Sequence, residues 1–71
     1  MVEIQAEMAG IVQEVRVAEG DRVEAGQEVA VLESMKMQIP VTSPAGGTVR
    51  AVRVRAGDFV NQGDVLMELE A

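Results

Sequence analysis

The sequence contains no cysteine and no histidine. Without cysteine the chain has neither a disulfide framework nor a thiolate metal site. Without histidine it lacks the side chain that most often serves as a base or a metal ligand near neutral pH. We therefore predict no metal site and no catalytic residues, since most hydrolase and metalloenzyme mechanisms are excluded.

Aromatic and basic residues are also scarce. Phe59 is the only aromatic residue, so a ring-lined ligand pocket is not expected. Twelve acidic residues against six basic ones give a net charge of −6, which argues against binding to nucleic acid or to an anionic membrane. No long apolar run marks a signal peptide or a membrane span, and the expected location is the cytoplasm.

The chain has the size of one small domain. With 71 residues and a mass of 7.6 kDa, it is predicted to fold as a single domain over residues 1–71. A domain of this size buries only about 60% of the surface of its unfolded chain, so we expect a thin core and a modest stability.

Apolar and polar residues alternate along several short segments, which is the period of a half-buried β-strand. Glycine-containing turn signals separate these segments, and no window has convincing helical periodicity. We therefore predict an all-β protein in which Val23 and Val60 are isolated apolar residues between turns. The predicted strands cover residues 2–7, 11–17, 29–34, 37–42, 48–55 and 65–70.

The second half of the chain repeats the first at a shift of 37 residues. Of the 24 positions from Gly10 to Glu33, eleven are identical in the copy that runs from Gly47 to Glu70. Neither unit can bury its apolar face alone, so the two are predicted to pack about an approximate two-fold axis into a closed barrel or sandwich. Each copy carries the pattern Gly-Asp-x-Val-x-x-Gly, whose glycines are assigned to tight turns: Gly20, Gly26, Gly57 and Gly63.

Lys36 is the only lysine in the chain and lies between the two copies. We predict that Met35 and Lys36 are the central residues of a two-residue hairpin, because apolar residues then face apolar residues on one side of it. The matching connection in the other half would join Glu70 to Met1, so Lys36 and the termini should lie at opposite ends of the molecule. The predicted register pairs Ser34 with Met37, Glu33 with Gln38, Leu32 with Ile39 and Ala30 with Val41.

The tip of this hairpin lacks the residues that such a turn prefers. Two-residue turns favour Asn-Gly, Asp-Gly or Gly-x because their central residues have positive φ, which costs an ordinary residue about 1 kcal/mol or more. A departure from local preference at one place indicates a functional constraint. At a tip, Met35 and Met37 cannot both be buried, so an apolar side chain should stand beside the amine, as in a surface recognised by another protein. The simpler alternative is that the methionines fill the core and Lys36 is a solvated corner residue.

The chemistry expected of Lys36 is that of an acceptor. A lysine amine is protonated at neutral pH, and nothing nearby in the sequence would desolvate it, so Lys36 is not predicted to act as a nucleophilic catalyst. An exposed amine on a rigid hairpin is instead well suited to acylation by another enzyme. A group attached in this way has a flexible stem on a fixed platform, which raises its effective concentration at any site that the stem can reach.

The segment Glu33-Ser34-Met35-Lys36-Met37, flanked by the two glycine-aspartate repeats, resembles the biotinyl domains of biotin-dependent carboxylases. The chain is most similar, over its whole length, to the small free-standing biotin or lipoyl attachment proteins. This resemblance implies a flattened eight-stranded β-barrel or sandwich, a barrel-sandwich hybrid of two quasi-two-fold related halves. It also implies biotin in amide linkage to Lys36, within a recognition motif made by Glu33, Ser34, Met35 and Met37.

The resemblance implies a non-catalytic biotin carboxyl carrier. A biotin protein ligase would biotinylate Lys36, and the biotin would shuttle a carboxyl group between a biotin carboxylase and a carboxyltransferase. The free protein is expected to be a monomer. Two alternatives stay open: a lipoyl carrier for acyl or aminomethyl transfer, whose lysine usually has Asp-Lys-Ala flanks, and an unmodified interaction module, which leaves a single lysine between two methionines unexplained.

Overall fold

The computed structural model describes all 71 residues and contains eight β-strands and no helix. The all-β prediction is therefore confirmed, and the chain has no helix that could cross a membrane. The isolated valines were interpreted wrongly, because Val23 and Val60 each belong to a two-residue strand that is too short to show a period. The strands are β1 (Val2–Gln5), β2 (Gly10–Val15), β3 (Arg22–Val23), β4 (Glu28–Ser34), β5 (Met37–Thr42), β6 (Gly47–Val52), β7 (Phe59–Val60) and β8 (Val65–Glu70).

The strands form two four-stranded antiparallel sheets, ordered β1-β8-β6-β3 and β5-β4-β2-β7. Each sheet takes two strands from the first half of the chain (β1–β4) and two from the second half (β5–β8), so the halves interleave instead of packing as separate bodies. The shift of 37 residues relates the two sheets to each other. Ile11 pairs with Glu33 in one sheet, and Thr48 pairs with Glu70 in the other. Even the bulges correspond, one between Val12 and Glu14 and one between Val49 and Ala51.

Reciprocal backbone hydrogen bonds join the two copies. The Val12 N–H donates to the Asp58 carbonyl oxygen and the Val49 N–H to that of Asp21, both over 2.8 Å. In return, the Gly57 N–H donates to the Val12 carbonyl and the Gly20 N–H to that of Val49, again over 2.8 Å. The turn of each copy is therefore fixed on a core strand of the other copy, and neither copy can complete its hydrogen bonding alone.

Four similar turns form the ends of the sandwich. Each contains a glycine with φ between 86° and 99°, which confirms the turn role predicted for these glycines. The next residue accepts a hydrogen bond, through its side-chain oxygen, from the backbone N–H three positions earlier, over 2.8–3.0 Å. Three of the acceptors are aspartates, which favour such turns. The acceptors are Asp21, Gln27, Asp58 and Asp64.

The core between the sheets is aliphatic. It consists of two clusters, one around Val23, Val49 and Leu69 and the other around Val12, Leu32 and related residues. The only aromatic side chain takes no part in it, because Phe59 points away from the core and is exposed. With small side chains the two sheets can approach closely, which suits a chain of this length.

Two glycines are required for a different reason from those in the turns. A Cβ atom on Gly10 would lie 2.7 Å from the Glu33 carbonyl oxygen, and one on Gly47 would lie 2.6 Å from that of Glu70. Neither glycine has positive φ, so the constraint is the close approach of the neighbouring strand. We expect Gly10→Ala and Gly47→Ala each to lower the free energy of unfolding by about 1–3 kcal/mol, as overpacking does.

Urea titration followed by circular dichroism would measure this loss. Gly46→Ala is the matched control, because its added Cβ would lie 3.6 Å from the Val23 carbonyl oxygen, an ordinary contact. It should change the stability by no more than about 0.5 kcal/mol. Equal stability of all three variants would show that the strand spacing does not constrain Gly10 and Gly47.

Candidate functional site

Strands β4 and β5 form the longest hairpin of the molecule, and Met35 and Lys36 are the two residues of its turn. The predicted register is confirmed at every pair: Ser34 with Met37, Glu33 with Gln38, Leu32 with Ile39 and Ala30 with Val41. Leu32 and Ala30 point into the core, and Glu33 and Gln38 lie on the outer face. A slip of one residue would exchange these faces, so the buried face of β4 fixes which two residues occupy the tip.

The backbone of the tip is left-handed at both positions. Met35 has φ of 53° and Lys36 has φ of 64°, and they are the only residues other than glycine with positive φ. Two consecutive left-handed residues make the turn that matches the right-handed twist of the flanking strands. A side chain in this region costs about 1–2 kcal/mol relative to glycine. The tight pairing below the tip therefore imposes a conformation that its own sequence disfavours.

Both methionines beside Lys36 are exposed. Met35 is 92% exposed and Met37 is 64% exposed, so the alternative in which they fill the core is wrong. Exposing two large apolar side chains at one turn is unfavourable for an isolated protein and is typical of a surface that another protein covers. Ser34, at the last position of β4, is half-buried, whereas Glu33 is exposed one residue further from the tip.

The amine of Lys36 has no partner. It takes part in no ion pair and no hydrogen bond, although the chain carries twelve acidic side chains. No group of acidic residues could hold a metal ion. The amine is thus free to be reached from solvent, and no neighbouring side chain of this chain is placed to remove its proton.

The chain reaches the tip of the hairpin along β4. Strand β3 pairs with the start of β6, where Gly47 lies against Glu70 and Ala71. One turn after β3 the chain enters β4, which runs for seven residues to the tip, or about 20 Å. That Lys36 and the termini lie at opposite ends of the molecule stays a prediction.

Two neighbouring residues were missed by reasoning from the sequence. Ile11 and Phe59 are exposed on the outer face of the same sheet, and Ile11 is directly opposite Glu33. Their signal was present in the repeat, because the corresponding residues of the other copy are the polar Thr48 and Arg22. Only the strand pairing shows that they lie beside the hairpin.

Comparison with known proteins identifies the family of the chain. The family model described as "Biotin-requiring enzyme" matches residues 2–69. The chain is 53% identical, over 93% of its length and 90% of the relative's, to the biotin/lipoyl attachment protein of Bacillus subtilis. It is 48% identical to part of the human mitochondrial propionyl-CoA carboxylase alpha chain, and the matched region spans 94% of this chain and 9% of that protein.

A solved structure shows the same fold. The chain superimposes with a TM-score of 0.87 and 38% identity on part of a single-chain, multi-domain long-chain acyl-CoA carboxylase, covering 93% of this chain and 7% of the other. The predicted fold, a sandwich or flattened barrel of two related halves, is thereby confirmed. The match over residues 2–69 and the close small relative place this chain in the biotin/lipoyl attachment family.

Proposed function

We propose that this protein is a biotin carboxyl carrier that holds biotin in amide linkage on Lys36. One observation supports the assignment of the residue above all others: the single side-chain amine of the chain stands exposed at the tip of a hairpin held in a left-handed turn. The carrier role is that of the family, whose similar members include parts of propionyl-CoA and long-chain acyl-CoA carboxylases. Within such a system the chain acts as a carrier and not as a catalyst.

The residues at the tip are suited to this attachment. An amide needs a primary amine that another enzyme can reach, and Lys36 has no ion-pair partner that would have to be displaced. Attachment forms one bond between Nζ and the carboxyl carbon of the activated biotin, the bond from that carbon to its activating group breaks and that group leaves, and the protonated amine loses two protons. Because this chain supplies no base, the activated carboxyl group and the base both come from a biotin protein ligase.

The residues flanking Lys36 have separate roles in this proposal. Met35 and Met37 offer flexible apolar contact on either side of the amine, which a ligase can cover. Glu33 presents a carboxylate on the outer face of the sheet, and Ser34 fixes the last pair of the hairpin opposite Met37. Together they form the surface by which the ligase selects Lys36.

When attached, biotin supplies the carboxyl-carrying chemistry, and the chain supplies its position. A rigid sandwich with a mobile group at one end keeps that group at a high effective concentration near two active sites. We propose that these belong to a biotin carboxylase and a carboxyltransferase. A lipoyl carrier is not favoured, because the tip carries methionines in place of the acidic residue and alanine that usually flank a lipoylated lysine.

Lys36→Arg should abolish biotinylation and leave the fold unchanged. The protein is incubated with a biotin protein ligase, a lipoate protein ligase, biotin, lipoate and MgATP, and its intact mass is measured, followed by peptide mapping. We expect one biotinyl group on Lys36 of the unaltered protein and none on the variant. The unfolding midpoint of the variant should match the unaltered protein, because an exposed side chain contributes little to stability. Biotin on the variant, or lipoate on the unaltered protein, would contradict the proposal.

The strain at the tip provides a second test. Lys36→Gly and Lys36→Arg both remove the amine, but only glycine adopts positive φ without cost. We expect the glycine variant to be more stable than the arginine variant by about 0.5–1 kcal/mol, after allowing for the greater freedom of glycine in the unfolded chain. Urea unfolding of the two variants under the same conditions measures the difference. A glycine variant that is less stable than the arginine variant would show that the tip is not strained.

A further inference from the structure

An apolar pair lies on the outer face of the sheet that carries the hairpin. Phe59 of β7 pairs with Ile11 of β2, and Ile11 in turn pairs with Glu33 of β4. The alternate residues of these strands, Val60 and Val12, point into the core, so Phe59, Ile11 and Glu33 form one row on the outside. Phe59 is 63% exposed and Ile11 is 45% exposed. We call this row the apolar row.

The repeat provides an internal reference for this row. At a shift of 37 residues, Phe59 corresponds to Arg22, Ile11 to Thr48 and Glu33 to Glu70. The same pairing recurs there, since Arg22 pairs with Thr48 and Thr48 with Glu70. The backbone arrangement of the two rows is thus the same, and only the side chains differ.

The two carboxylates of these rows also differ in their partners. Glu70 accepts hydrogen bonds from the Arg50 guanidinium over 3.1 and 3.2 Å. Arg50 corresponds to Gln13, and Glu33 forms no ion pair. The reference row is therefore polar, and its carboxylate has a partner in Arg50, whereas the row beside the hairpin combines exposed apolar area with a carboxylate that has no partner.

The fold does not require the apolar row to be apolar. Arginine and threonine occupy the equivalent positions of the other sheet within the same strand pairing, so the sandwich accepts polar side chains there. Leaving a large aromatic side chain in water offers the folded monomer no gain in stability. The difference between the rows coincides with the one feature that the other sheet lacks, a hairpin with a lysine at its tip. We therefore attribute the difference between the two rows to a partner that binds the protein near the hairpin.

We propose that the apolar row is a docking surface for the biotin protein ligase that acts on Lys36, and this rests on the function proposed above. Glu33 is three residues from Lys36, which places the nearest residue of the row about 10 Å from the tip, and Ile11 and Phe59 follow on the next two strands of the sheet. The ligase must bring an activated carboxyl group to Nζ itself, so its surface has to come within one lysine side chain of the hairpin. An enzyme that acts on the far end of the attached group can stay further away. The ligase is thus the partner that must cover the base of the hairpin.

The row indicates the chemistry of the matching surface. Burial of Phe59 and Ile11 requires an apolar patch on the ligase, and the free carboxylate of Glu33 requires an arginine or lysine at the edge of that patch. The net charge of −6 on this chain would favour the approach of such a basic surface.

The test replaces the two apolar residues of the row by polar residues, including those found in the equivalent row of the other sheet. The variant I11T/F59R carries the residues found at the equivalent positions, and I11T/F59T removes the apolar area without adding charge. The control R22A/T48A alters the same two positions of the other sheet. Initial rates of biotin incorporation are measured with a biotin protein ligase, biotin and MgATP over a range of carrier concentrations, and urea unfolding checks the fold of each variant.

We expect both row variants to lower kcat/KM for the carrier at least tenfold, mainly through a higher KM, because Nζ itself is untouched. The control should stay within twofold of the unaltered protein. Row variants that are folded and biotinylated at the normal rate would overturn the docking proposal and leave the proposed function standing. No biotinylation of the unaltered protein would overturn the proposed function and this inference with it.

Two further results would assign the apolar row to another occupant and overturn the inference. One is normal biotinylation of the row variants with a loss of carboxylase turnover, which would place the carboxylase on this surface. The other is a dimer of the unaltered protein that the row variants abolish, as measured by sedimentation velocity. That result would show that a second copy of the chain covers the row.

Discussion

The structure depends on the exchange of backbone hydrogen bonds between the two copies of the repeat. Val12 and Val49 occupy equivalent places in the two sheets, and each both donates to and accepts from a turn of the opposite copy. Each copy alone would leave these groups unpaired beside an apolar core, which costs more than the bonds themselves contribute. Folding should therefore be all-or-none for the whole chain, and a small domain with an aliphatic core gains a defined shape from this arrangement.

Much of this arrangement could be predicted from the sequence because the repeat and the hydrophobic period agree with each other. The register of the hairpin followed from one face alone, since Leu32 and Ile39 could be buried only if Met35 and Lys36 formed the turn. Two features could not be predicted. Strands of two residues, such as Arg22–Val23, carry no period, and they exist only because a neighbouring strand pairs with them. The interleaving of the copies was also hidden, because a repeat does not say whether its units pack side by side or exchange strands.

The residues of the candidate site likewise fall into a group that the sequence could predict and a group that it could not. Lys36 and its methionines stand out by composition and spacing, so the sequence was sufficient to single them out. Ile11 and Phe59 are far from Lys36 along the chain, and they become its neighbours only through the pairing of β2 with β4 and β7. Residues that come from different strands of one sheet face can be recognised as a group only when the register is known.

An internal repeat offers a way to separate what the fold needs from what the function needs. Positions that are alike in both copies, such as the turn glycines and Val12 with Val49, serve the common backbone and core. Positions that differ while their pairing stays the same are free of that demand, and Phe59, which corresponds to Arg22 in the other copy, is such a position. The tip of the hairpin has no counterpart to compare, because Met35 and Lys36 lie between the two aligned copies. A nearly symmetric sandwich thus carries its lysine at one end only, and the strain of two left-handed residues is confined to the turn that presents it.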